Sequence, residues 1–126
     1  MGRLFLTLAA VSGFLAVSLG AFGAHALKNR LDEYSLSVYQ TAVEYQFYHT
    51  LALLAVGLLC LWHPQSALLR SSGIAFILGI CVFSGSLYVL SVTGIRGLGA
   101  ITPLGGLAFL VGWACLALAT WRLPAP

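Results

Sequence analysis

Four long apolar runs dominate the chain, at residues 4–24, roughly 45–62, 73–92 and 101–121. Polar or charged breaks at 25–34, 63–72 and 93–100 separate them. None of the runs alternates with the two-residue period of a barrel strand, and only helices or closed barrels satisfy their backbone inside lipid. A helix of about 20 residues crosses a hydrocarbon core of about 30 Å. The pattern therefore predicts helices at about 4–24, 36–62, 73–92 and 101–121. Together they make one all-α domain over residues 1–126, an integral membrane four-helix bundle with both termini on the same side.

The second helix is the odd one. Its purely apolar part, residues 51–62, is about 12 residues, or about 18 Å of helix, too short to cross. The span must take in Tyr45, Gln46, Tyr48 and His49. Residues 32–44 read as its amphipathic or interfacial continuation, with Asp32 or Ser35 placed to cap the start.

Composition narrows the class. Of 126 residues, 60% are hydrophobic and 7% charged, against about 25% charged in soluble domains. Loops this thin leave no room for a soluble catalytic domain. The basic residues Arg3, Lys28, Arg30, Arg70, Arg96 and Arg122 each sit beside an apolar run, as headgroup anchors do. Membrane lipids are their expected partners. They form no basic cluster, so nucleic acid is not an expected partner. Threading puts Arg3, Arg70 and Arg122 on one side and Lys28, Arg30 and Arg96 on the other, an even split that leaves orientation open.

Cys60, Cys81 and Cys115 fall inside apolar runs without a CxxC pair and read as small buried hydrophobes. Arg3 and the Ala24-His25-Ala26 triplet imitate a secretory leader with its cleavage site, but the run is longer than the usual core of about 7–15 residues. A retained helix is expected.

Small residues form two stripes. Ser12, Ala16, Gly20 and Ala24 repeat every fourth residue on helix 1. Gly105, Ala108, Gly112, Cys115 and Ala119 share a face of helix 4. Gly85 on helix 3 is a further candidate for close approach. In lipid such residues let helix backbones come together, and the stripes leave open whether the contact is within one chain or between copies.

Threading direction then sorts the polar side chains. Helix 1 ends where helix 2 begins, and helix 3 ends where helix 4 begins. His25, Glu44, Tyr45, Gln46, His49, Ser84, Tyr88 and Thr102 therefore fall in the same half of the membrane. The other half holds little beyond Thr7, Cys60, Trp62 and Trp121. Gln46 and His49 are three apart, a spacing that allows a direct bond. A pocket joining His25, Glu44 and His49 would suit a proton, a polar headgroup or a metal, because ionisable groups in lipid turn inward or to water. A plain reading stands beside each. His25 caps helix 1, His49 makes an interhelical hydrogen bond, Glu44 pairs with Lys28 or Arg30, and the tyrosines form an aromatic belt. Ser84 and Tyr88 share a face. Thr102-Pro103 reads as a helix start with Thr102 as N-cap. Two histidines without a close third ligand are a weak metal signal, so no metal or cofactor is expected. No catalytic residues are identified, and no nucleophile–base pair or phosphate loop is present.

The motifs "GAFGAHALK" at the end of helix 1, "YQFYH" at Tyr45–His49, "FSGSLY" at Phe83–Tyr88 and "ITPLGGLAFLVGW" at Ile101–Trp113 resemble the YgdD-like family of small membrane proteins, domain of unknown function 423. The resemblance covers nearly the whole chain. It implies a four-helix protein of the bacterial inner membrane and supplies no reaction. Two functions are expected to compete, ahead of a third, a membrane enzyme or redox carrier, for which no complete catalytic set is visible. One is a non-enzymatic protein working through assembly, as a homo-oligomer or an accessory subunit of a larger membrane complex. The other is a small transporter or a ligand- or lipid-binding protein with a polar pocket in one membrane half.

Overall fold

The computed structural model describes residues 1–124. Among the described residues, four helices are long and apolar enough to cross a membrane. We number them α1 (Gly2–Leu27), α2 (Glu33–Trp62), α3 (Ala67–Thr93) and α4 (Thr102–Arg122). Two contain a π-helical turn, Gly23–Leu27 at the end of α1 and Ile80–Ser84 in the middle of α3.

The helix ends depart from the apolar runs for local reasons. α2 begins at Glu33 rather than 36 because the Asp32 side chain accepts a 2.7 Å bond from the Ser35 amide and caps the first turn. That bond also holds the Asp32 carboxyl below its ordinary range, with a smaller contribution from Arg96. The interfacial stretch and the span are one continuous helix. α3 begins at Ala67 rather than 73, since Ser66 accepts from the Leu69 amide. The polar residues Arg70–Ser72 are helical, and Ser72 is buried, donating to the Gly112 carbonyl at 2.8 Å. Gly94, at φ 71°, ends α3 in the left-handed conformation that glycine adopts freely. A short 3₁₀ turn, Arg96–Ala100, then leads directly into α4. Thr102 is therefore the first helical residue and not the N-cap. Its hydroxyl bonds Ser86 at 2.7 Å instead of capping an amide.

α1 packs mainly along α2, and α4 along α3, while α2 and α3 pack on each other in the centre. The small-residue stripes are used inside the chain. Ala16 is buried against α2, and Gly20 faces Val43 of α2. Gly105 and Gly112 of α4 meet Phe83 and Phe76 of α3. At Gly105 a Cβ would run into the Phe83 backbone, so α3 and α4 touch main chain to main chain there. Gly85 has no such role, because a Cβ there would meet nothing. The π turn just before it carries Phe83, not Gly85, onto the α4 contact. Of the cysteines only Cys60 is buried; Cys81 is exposed and Cys115 half-buried. Burial in an apolar run does not follow from apolarity, since half of a membrane helix faces lipid.

The apolar core lies toward the α2–α3 turn. It joins Phe5 and Ala9 of α1, Leu53 and Val56 of α2, Leu69 and Phe76 of α3, and Phe109 and Ala119 of α4. Gly2 and Met1 border Leu61 and Pro64 at that turn, and Ala119, Arg122 and Leu123 border His63 and Pro64 there. At the opposite end the two remaining loops meet, with the Arg96 guanidinium 5.5 Å over the Tyr34 ring.

Candidate functional site

Above the apolar core, α2 sends side chains to all three other helices. Its residues repeat so that Gln46 and Thr50 turn toward α1 while His49 turns toward α4. The Gln46 amide nitrogen donates to the Ser12 carbonyl at 3.0 Å, with the Ser12 hydroxyl at 3.3 Å. Its oxygen accepts from the Tyr88 hydroxyl at 2.6 Å. Ser12 also bonds Thr50 at 2.6 Å. One buried glutamine thus ties α1, α2 and α3 together.

His49 bonds quite differently from the direct Gln46 pairing that their spacing allows. Its Nε2 accepts from the Trp113 indole at 3.1 Å. Indole is a donor only, so the proton of the neutral ring sits on Nδ1 and goes to the Tyr45 carbonyl at 2.7 Å. The ring lies flat on Phe109, centroids 3.5 Å apart at 9°. Phe76 and Trp113 close the cluster edge-on, 5.1 Å from each other. Neither ring nitrogen is left for a ligand. Trp113 carries no polar signal in the sequence that would single it out. A tryptophan inside an apolar run reads as lipid-facing until a histidine is brought opposite it.

Higher still, Ser84 donates to the Ala42 carbonyl at 2.8 Å and Tyr39 to the Leu19 carbonyl at 2.6 Å. Ser84 and Tyr88 share a face and both reach α2. Every buried side-chain nitrogen and oxygen among the described residues has a partner.

The eight candidate polar residues do not line one cavity. Glu44 borders a groove between α1 and α2 with Gly20, Gly23 and Ala24. Gln46 borders an apolar cleft with Leu15 and Ile77. Tyr45 and His49 border a third, with Phe83 and Trp113. Ser84 and Thr102 are tied into helix contacts. His25 is exposed at the π turn of α1, and the structure does not bring it to His49. Glu44 makes no ion pair with Lys28 or Arg30 among the described residues. Nor do three or more metal-ligating side chains cluster among those residues.

Comparison with known proteins places this architecture. The family model described as protein of unknown function (DUF423) matches residues 19–106. The chain belongs to the DUF423 family. That match runs from the last part of α1 through all of α2 and α3 to the start of α4. The UPF0382 membrane protein SSP2132 of Staphylococcus saprophyticus is 45% identical over 96% of this chain and 99% of its own length. The UPF0382 membrane protein YwdK of Bacillus subtilis is 44% identical over 93% and 95%. The UPF0382 inner membrane protein YgdD of Escherichia coli is 40% identical over 96% and 92%. No solved structure matches. With four spanning helices and these relatives, the DUF423 chain is a multi-pass membrane protein whose family has no assigned biochemical activity.

Proposed function

We propose that the protein works through assembly, as a non-enzymatic helical subunit that packs against another membrane protein or further copies of itself. One observation carries this reading. The buried polar groups of the described chain are all consumed by internal bonds, which supports a centre that fastens the helices together. The outer helices meanwhile leave broad apolar faces uncovered. Val17 on α1 is 63% exposed and Leu110 on α4 67%. Such faces bury themselves against lipid or against a partner helix by dispersion contacts. The inner membrane, named for the E. coli relative, is the compartment we assign.

Photocrosslinking in intact membranes tests the reading. p-Benzoylphenylalanine at Val17 or at Leu110 is expected to give a discrete protein adduct, identified as a partner or a second copy by mass. Lipid adducts alone from both positions, with a monomer mass after gentle extraction, would refute assembly. A second reading, ligand or lipid binding, is favoured by a single feature, the Glu44 groove.

A further inference from the structure

Glu44 is the one acidic residue well inside the spanning helices, since Asp32 and Glu33 stand at the start of α2. It is exposed. Its polar neighbours are turned elsewhere, Tyr39 to the Leu19 carbonyl and Gln46 to Ser12. Its carboxylate has no hydrogen-bond or ion-pair partner among the described residues. At 1.5 Å per residue Glu44 stands about 27 Å along α2 from Trp62. The hydrocarbon core is about 30 Å thick. With Trp62 at one interface, Glu44 lies just inside the opposite rim. A second ruler agrees, because Glu44 shares its groove with Gly20, about one turn of α1 inside His25. An ionisable group at that depth is costly unless something answers it.

The groove itself is about 390 Å³ and open at the protein surface. Gly20, Gly23 and Ala24 form one wall, Tyr39, Gln40 and Glu44 the other. It spans five residues of α1 and six of α2, about 8 Å along either axis. A docking helix needs several turns, so the groove fits a headgroup better than a helix. Its free polar groups are a carboxylate and the side-chain amide of Gln40, which offers a carbonyl acceptor. They match a cation that carries N–H donors. A quaternary ammonium, with no N–H, favours cages of aromatic faces, and this groove holds a single ring.

We propose that the α1–α2 groove binds the protonated primary amine of a membrane lipid of the phosphatidylethanolamine class, with Glu44 and Gln40 accepting its N–H groups. The acyl chains lie along the apolar face of α1 below Gly20. This rests on the ligand-binding reading and is independent of assembly.

The test uses the full-length protein in detergent and short-chain dioctanoyl lipids, with affinity read by native mass spectrometry and by thermal shift. Phosphatidylethanolamine is expected to bind at least tenfold more tightly than phosphatidylcholine or phosphatidylglycerol of equal chain length. Glu44→Gln should remove that preference and leave phosphatidylglycerol binding unchanged. Ala24→Leu, which fills the groove from the other wall with Glu44 intact, should weaken phosphatidylethanolamine to the same degree and serves if Glu44→Gln does not fold. Glu44→Gln and Ala24→Leu both binding phosphatidylethanolamine within twofold of the parent would overturn the site. Equal binding of all three lipids, lost in Ala24→Leu, would overturn the amine assignment while leaving ligand binding in place. Ethanolamine competing at the affinity of the whole lipid would overturn the lipid as the source.

Discussion

The two halves of this bundle are fastened by different physics. Toward the α2–α3 turn, aromatic rings sit directly on glycines, Phe5 over Gly73 and Phe76 over Gly112. Toward the other loops, hydroxyls and one amide reach across helix gaps, with Ser84 on Ala42, Tyr39 on Leu19 and Gln46 between Ser12 and Tyr88. In lipid no hydrophobic force drives helices together, so shape and hydrogen bonds must do so. The first half relies on close fit, which specifies which faces meet. The second relies on directional bonds, which specify register. Ser72, bonded to the Gly112 carbonyl, is the exception that places one such bond in the apolar half.

Removing fit should cost more than removing bonds. Phe76 is fully buried and touches the His49 and Trp113 rings. Phe76→Ala is expected to lower unfolding stability in detergent by about 3 kcal/mol or more, as a cavity no side chain can fill. Equilibrium unfolding followed by tryptophan fluorescence measures it, and a cost under that of the next variant would reverse the ranking of the halves.

Gln46→Leu comes second. It strands the Tyr88 hydroxyl and frees Ser12, at about 1–2 kcal/mol. In a double-mutant cycle, Tyr88→Phe should be nearly neutral in the Gln46→Leu background and costly alone. Strict additivity of the two would mean that the Gln46–Tyr88 bond contributes nothing.

Asp32→Ala should have the smallest effect. The cap is exposed at the start of α2, away from either fastening. Because the folded carboxyl titrates below its ordinary value of 3.8, its stabilisation is present above that value and lost as pH falls through the folded one. The variant should therefore melt slightly lower than the parent at neutral pH and equally at strongly acid pH. A difference that persists in acid would assign the effect to something other than the charged cap.

Particular residues show how far the sequence could be read. The four spans, and the crowding of polar groups into one membrane half, follow from apolar run length and chain order. Gln46 and His49 stood out as polar residues in a helix too short without them, and both are buried. Their partners were not legible. Spacing on one helix says which residues are neighbours, yet a face turned by 60° is enough to send Gln46 to α1 and His49 to α4. Trp113 and Ser72 escaped notice because indole and serine are ordinary in apolar runs and loops. The shared pocket suggested by His25, Glu44 and His49 depends on distances across helices, which order along the chain does not contain.

What the sequence alone determined was the solvent and the topology. Apolar runs of this length commit the backbone to helices in lipid, and short breaks commit those helices to a sequential bundle. Only the tertiary structure decided which polar groups are spent inside and which remain free. Burial of His49 between Trp113 and Phe109, and exposure of Glu44 in a groove walled by Gly20 and Gly23, are set by helix rotation. Those rotations are fixed by contacts between distant residues, where a single missing Cβ at Gly105 lets two backbones touch.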